Sequence, residues 1–79
     1  MFVEIVLTAL PLDRDEVEEA LEAAFEADGE ITGAGTGTGS CHLDLEVDDD
    51  VDRDGALRRI HRTLRELGAS DHARVIVRD

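Results

Sequence analysis

Residues 43–54, LDLEVDDDVDRD, contain the pattern that decides the fold. Apolar and acidic residues alternate from Leu43 to Val47, which is the period expected of a β-strand with one buried face. After a short acidic connector, Asp52 stands where the N-cap of a helix is expected. The apolar residues that follow have helical spacing and are Leu57, Ile60, Leu64 and Leu67. The stretch therefore predicts a strand that leads directly into an amphipathic helix.

A similar strand-and-helix unit lies at the start of the chain. The strand Val3–Leu7 resembles the one above, and the tetrapeptide LDRD at residues 12–15 recurs as VDRD at residues 51–54. Each helix is followed by a further strand signal, over residues 30–40 and 74–78. Two β-α-β halves of this kind predict an α+β, ferredoxin-like βαββαβ sandwich. Its four-stranded antiparallel sheet should have strands one and three in the centre and both helices on one face.

The ends of the two helices are also marked. Asp13 is predicted to cap the first helix through its side chain, with Glu16 completing a capping box. Asp52 is predicted to cap the second helix in the same way. Glycines should end both helices, at Asp28-Gly29 and at Gly68.

Composition limits the classes of partner. The chain has 79 residues, which predicts a single domain over residues 1–79. Its net charge at pH 7 is −12, from 20 acidic and 8 basic residues, and every basic residue is arginine. Two interpretations stay open: compositional adaptation of a salt-adapted or GC-rich source, and a surface for a basic protein partner. In either case the negative field disfavours nucleic acid and anionic membranes.

No segment predicts membrane insertion or secretion. No apolar run approaches the ~20 residues of a transmembrane helix. The first residues, Met1-Phe2-Val3-Glu4, lack the basic region of a signal peptide, so the cytoplasm is the expected location. The single cysteine, Cys41, is predicted to be a small buried residue that forms no disulfide within the chain.

The acidic connector resembles the opening of a calcium loop. Asp50, Asp52 and Asp54 precede Gly55 in the pattern D-x-D-x-D-G, whose oxygens suit a hard cation. The twelfth position of such a loop should be a bidentate glutamate, and here it is His61. Helix capping by these aspartates is the favoured interpretation, and weak cation binding is the alternative.

The glycine-rich segment has a regular spacing. Gly33, Gly35, Gly37 and Gly39 share one parity, so an extended conformation gives one face without side chains. A phosphate-binding loop is not indicated, because no Gly-Lys-Ser/Thr follows and no helix begins there. The pattern predicts a weak or bulged edge strand, against which a partner's backbone or strand could lie.

The uncovered face of the predicted sheet is the candidate partner-binding surface. By parity it should carry Phe2, Glu4, Val6 and Thr8 from the first strand and His42, Asp44 and Glu46 from the third, and the candidate residues among them are Glu4, Asp44 and Glu46. The adjoining glycine edge adds Gly35, Gly37 and Gly39. The carboxylates and the lack of aromatic residues in the third strand argue against RNA recognition. Arginines 58, 59, 62 and 65 are expected to pair with glutamates of the first helix, and an anionic ligand is the alternative.

No catalytic constellation is predicted. His42, His61 and His72 show no ligand spacing, and adjacent Cys41 and His42 should point to opposite faces of a strand. No carboxylate is placed in an apolar setting that would mark it as a general acid. The sequence therefore predicts neither an enzyme nor a cofactor.

Four segments carry a resemblance to known proteins: Gly35–Gly37, Leu43–Val47, Ala56–Ile60 and Leu64–Ala69. They resemble small ferredoxin-like bacterial proteins of largely unassigned role, some of which are immunity proteins or interaction modules. The resemblance covers residues 30–79 best, and it implies a binding role without catalytic residues.

Two functional hypotheses follow. The first is a non-catalytic protein-interaction module, such as an acidic immunity protein that neutralises a basic partner. The alternative is a small-ligand regulatory domain that resembles the ACT modules and acts as a homodimer. Its ligand loop would be Ala9-Leu10-Pro11-Leu12, which lacks the glycine common in such loops. A homodimer is compatible with both, since the predicted sheet leaves one face uncovered.

Overall fold

The computed structural model describes residues 1–78. Its elements, in chain order, are β1 (Phe2–Thr8), α1 (Arg14–Phe25), β2 (Gly29–Gly37), β3 (Ser40–Val47), α2 (Arg53–Glu66) and β4 (Ala73–Arg78). Short 3-10 turns, Glu26–Asp28 and Ser70–His72, precede β2 and β4. The strands form one antiparallel sheet in the order β2-β3-β1-β4. The predicted ferredoxin-like fold is confirmed, with β1 and β3 in the centre.

The alternation of the two central strands places their apolar residues in the core. Val3, Ile5 and Leu7 of β1 are fully buried, as are Leu43 and Leu45 of β3. The two helices close this side of the sheet with one apolar stripe each, formed by Val17, Leu21 and Phe25 in α1 and by Ala56, Ile60 and Leu64 in α2. No polar side chain among the described residues is buried with them. Within residues 1–78 no helix covers the opposite side of the sheet.

The predicted cap of α2 is confirmed and the predicted cap of α1 is wrong. Asp52 Oδ2 accepts a hydrogen bond of 2.9 Å from the Gly55 N–H. The Asp13 side chain makes no such bond. The Glu16 N–H donates instead to the main-chain oxygen of Asp13, at 3.0 Å, so the capping box does not form.

The glycine predicted to end α1 has a different role. The helix ends at Phe25, and Glu26 adopts the positive φ of 40° that was expected of the glycine. Gly29 is extended and begins β2, where an added Cβ would lie 2.7 Å from the main-chain oxygen of Glu46. This position therefore requires glycine for close approach of two strands. Gly68 has a φ of +73° just beyond α2, as predicted.

None of the helices in the described part of the chain combines the length and the apolar character needed to span a bilayer.

Candidate functional site

The side of the sheet opposite the helices is called the open sheet face. From β1 and β3 it carries Phe2, Glu4, Val6, Thr8, Ser40, His42, Asp44 and Glu46. The edge strands β2 and β4 add Glu30, Gly33, Gly35 and Gly37 on one side and Arg74, Ile76 and Arg78 on the other. The face is therefore acidic toward β2 and basic along β4. No large hydrophobic side chain among residues 1–78 is exposed.

Most of the residues predicted to form the partner-binding surface do share this face. The register pairs Glu4 directly with Asp44, while Glu46 lies opposite Phe2 and Glu30. Gly35 and Gly37 line the adjoining part of β2. Gly39 does not lie on the face, because it occupies the turn between β2 and β3 with a φ of +75°. There it allows the tight reversal of the chain.

The centre of the open sheet face brings three potential ligands together. Glu4, His42 and Asp44 each offer one atom, and these atoms lie within 4.8 Å of one another. His42 Nε2 is 3.9 Å from Asp44 Oδ2, and all three side chains are half-buried. Within residues 1–78 this is the one convergent group of three or more such side chains, and Asp50, Asp52 and Asp54 do not form another.

Glycines of β2 make room for this group. A Cβ added at Gly35 would overlap Cε1 of the His42 ring and lie 3.0 Å from its Nδ1. A Cβ at Gly33 would lie 2.9 Å from Asp44 Oδ2. At Gly37 the nearest atom would be Ser40 Oγ at an ordinary 3.7 Å. The His42 and Asp44 side chains thus occupy the space that side chains of an ordinary edge strand would fill.

Glu4 is held from its other side by β4. Arg78 Nε donates a hydrogen bond to Glu4 Oε1 at 2.8 Å, and Arg78 Nη2 forms an ion-pair contact with the same oxygen at 2.6 Å. The second carboxylate oxygen of Glu4 makes no hydrogen bond with the described residues. The contact with Arg78 fixes the orientation of the Glu4 carboxylate.

A second acidic feature lies beside the edge strand, on the helix side. Glu18, Glu22 and Glu26 line one wall of a groove of about 580 Å³, and Glu30–Ala34 of β2 line the other. Since β2 is at the edge of the sheet, this groove runs along a strand with one unpaired side. The groove is called the acidic groove below.

The arginines of α2 behave differently from one another. Arg59 Nη1 donates to Asp28 Oδ2 at 3.1 Å and to the Ala24 main-chain oxygen at 3.2 Å, and its guanidinium lies 4.8 Å from the Phe25 ring centroid. It thereby ties α2 to the end of α1. Arg58, Arg62 and Arg65 form no ion pair with the described residues, and with His61 and Gly55 they line a hollow of about 540 Å³. The predicted pairing with glutamates of α1 is therefore not seen among the described residues: of these four arginines Arg59 alone forms an ion pair, and its partner is Asp28 in the 3-10 turn after α1.

Two further predictions concern the other end of the sheet. Cys41 is half-buried and packs against the core, while its neighbour His42 is on the open sheet face.

The loop proposed for an ACT-like ligand borders a shallow hollow of about 370 Å³. Ala9 in this loop has a φ of 51°, and its N–H donates to Gly39 O at 3.2 Å. The hollow also includes Thr36, Gly37 and Cys41.

The sequence placed His42 on the uncovered sheet face by parity, but neither His42 nor Glu30 was predicted to belong to the site. His42 lacks ligand spacing along the chain, because its potential co-ligand Glu4 is on another strand. Parity predicted that Glu4, His42 and Asp44 share one face of neighbouring strands, and the register of β1 against β3 is what brings their ligand atoms together. Glu30 lay in a segment whose register is shifted by a bulge between Ile31 and Gly33.

Comparisons with known proteins bear on the fold alone. No protein-family model matches the chain, and no curated protein matches it either. Among solved structures, a "putative transposase" from Deinococcus radiodurans R1 is similar, with a TM-score of 0.59 and 9% sequence identity. The alignment covers 100% of this chain and 79% of that one. At this identity the likeness supports the same arrangement of strands and helices and transfers no activity.

Proposed function

We propose that this chain is a non-catalytic protein-interaction module that binds an extended, basic segment of a partner protein along β2. The observation that carries the proposal is the position of β2. It is an edge strand with an unpaired side, and it lies between the acidic groove and the acidic half of the open sheet face. An unpaired edge supplies backbone hydrogen bonds to an added strand.

The charges on either side of β2 define the partner. Side chains of an added strand would point alternately to the two faces of the sheet. On the helix side they would meet Glu18, Glu22 and Glu26. On the other side the glycines of β2 leave Asp44 approachable across the strand. Arginine or lysine at alternate positions of the partner would satisfy both sets of carboxylates.

The edge also lacks common features that prevent strand addition. Edge strands are often blocked by lysine, proline or an inward charge. β2 has nine residues, Gly29–Gly37, and contains neither lysine nor proline. Its bulge between Ile31 and Gly33 would oppose regular pairing there, so we place the added strand along Gly33–Gly37, with one end reaching the acidic groove at Gly33 and Ala34.

An immunity protein is one form of this function. A basic toxin would be recognised by the same carboxylates, and the negative field would speed the encounter. The alternative, an ACT-like ligand domain, is favoured by the hollow beside the loop at Ala9. A thermal shift with free amino acids would support it, whereas a flat response across all of them would contradict it.

The test of the proposed function is affinity capture at low salt from a lysate of the source organism, followed by binding of the purified partner. We expect one stoichiometric basic partner, released by added salt because exposed ion pairs are screened. Glu22→Arg, in the acidic groove, should weaken binding strongly. Glu19→Arg is the matched control, since Glu19 is exposed on the same helix, does not line the groove and gives the same change in net charge. Equal effects of the two variants would contradict a site along β2.

A further inference from the structure

We infer that Glu4, His42 and Asp44 bind a divalent transition-metal ion, with Zn²⁺ as the reference ion, at the centre of the open sheet face. The site adjoins the segment proposed for strand addition and shares Asp44 with it, but its three ligands are on β1 and β3 and metal binding does not depend on that function. Three observations support metal binding here: the convergence of the ligand atoms, the space provided by Gly33 and Gly35, and the orientation of Glu4 by Arg78.

The donor atoms indicate the class of metal. One imidazole nitrogen and two carboxylate oxygens form a mixed N/O set, which suits Zn²⁺ and its neighbours such as Co²⁺ and Mn²⁺. Ca²⁺ and Mg²⁺ prefer oxygen ligands throughout. Three protein ligands would leave one position of a tetrahedral ion for water or a partner's side chain.

The distances are compatible with coordination after small side-chain rotations. Ligands at ~2.1 Å from a tetrahedral ion are ~3.4 Å apart. The three ligand atoms here lie within 4.8 Å of one another, and His42 Nε2 is already 3.9 Å from Asp44 Oδ2. All three side chains are on the two central strands, each of which is hydrogen-bonded to a neighbouring strand on both sides.

The electrostatics also favour a cation. Glu4 and Asp44 are directly opposed carboxylates, whose mutual repulsion a divalent ion would relieve. Arg78 offsets part of the charge of Glu4, but it donates to one oxygen and leaves the other. In this respect it resembles the outer-shell partners that orient metal-binding carboxylates.

Glycine at position 35 is a specific requirement of this site. A Cβ there would overlap the His42 ring, and the ring would have to turn away. The ring lies at the end of a rotatable side chain, so alanine at position 35 should displace the ligand without disturbing the strand. Gly37 is the matched control, because a Cβ there would make only ordinary contacts with Ser40.

The experiment is calorimetric titration of tag-free protein with Zn²⁺, with the visible absorption of bound Co²⁺ as a second readout of tetrahedral coordination. Wild-type protein should bind one ion per chain. Gly35→Ala and His42→Gln should each weaken binding by at least about tenfold. Gly37→Ala and His61→Gln should retain wild-type affinity, since His61 is exposed on α2.

Three results would overturn the inference. The first is equal affinity of wild-type protein and His42→Gln, which would mean that the ion binds to other carboxylates. The second is equal affinity of Gly35→Ala and wild type for Zn²⁺, which would mean that His42 does not need the space beside Gly35 to bind the ion. The third is displacement of Zn²⁺ by an equal concentration of Mg²⁺, which would indicate diffuse attraction by the net charge. None of these measurements uses a partner protein, so they fail or succeed independently of the proposed interaction.

Discussion

Glu4 and Asp44 are direct cross-strand neighbours on β1 and β3, so two carboxylates face each other at the centre of the sheet. Like charges in this position are destabilising. Arg78 compensates Glu4 from β4, and the His42 ring lies beside Asp44. The arrangement departs from what stability alone would favour, and such departures are typical of sites that bind something.

Removing one of these charges should stabilise the metal-free protein. We expect Asp44→Asn to raise the free energy of unfolding by about 0.2–1 kcal/mol, because it relieves the repulsion from Glu4. Urea denaturation in the presence of a chelator measures this. Asp50→Asn makes the same change in net charge at an exposed position and should have a smaller effect. A destabilised Asp44→Asn protein would show that the contact with His42 outweighs the repulsion.

The two helix starts should respond differently to the same substitution. Asp52→Ala removes the hydrogen bond to the Gly55 N–H and should cost about 0.5–2 kcal/mol of stability. Asp13→Ala removes no capping bond, so its effect should stay within about 0.5 kcal/mol. Thermal or urea unfolding of the two variants provides the comparison. Equal losses would mean that Asp13 caps α1 in solution.

The contact of α2 with the end of α1 depends on one arginine. Arg59→Ala removes the bonds to Asp28 and Ala24 and the contact with the Phe25 ring, so it should cost about 1–3 kcal/mol. Arg58→Ala, at an exposed position that forms no ion pair with the described residues, should change stability by less than about 0.5 kcal/mol. Both values come from urea unfolding. A loss at Arg59 no larger than that at Arg58 would contradict the tie between the helices.

Salt should stabilise the fold. With a net charge of −12 the folded chain repels itself, and the Debye length falls from about 10 Å at 0.1 M to about 3 Å at 1 M salt. We therefore expect the melting temperature to rise as KCl is increased over this range. Melting in sucrose at matched osmolality is the control, because sucrose is excluded from the protein surface but does not screen charge. An equal rise of the melting temperature in sucrose would argue against screening.

The sequence predicted those features of the site that depend on residues close together in the chain. It did not predict the features that depend on contacts between distant segments. Parity placed Glu4, Asp44 and Glu46 on one face, because side chains alternate along any strand. It did not place His42 beside Glu4, since that proximity needs the register of β1 against β3. The acidic groove could not be predicted for the same reason, because its walls come from α1 and β2, whose separation is set by core packing.

Local patterns in the sequence determined the order of elements, the apolar stripes and the cap at Asp52, because these depend on residues within a few positions of one another. Tertiary structure alone decided which of two nearly identical helix starts carries a side-chain cap, that Glu26 and not Gly29 adopts the positive φ after α1, and that Gly35 provides the space for His42. Each of these outcomes depends on where a distant strand or helix comes to lie. That position is fixed by burial of the whole apolar face and by the pairing of strands far apart in the chain, which no local pattern contains.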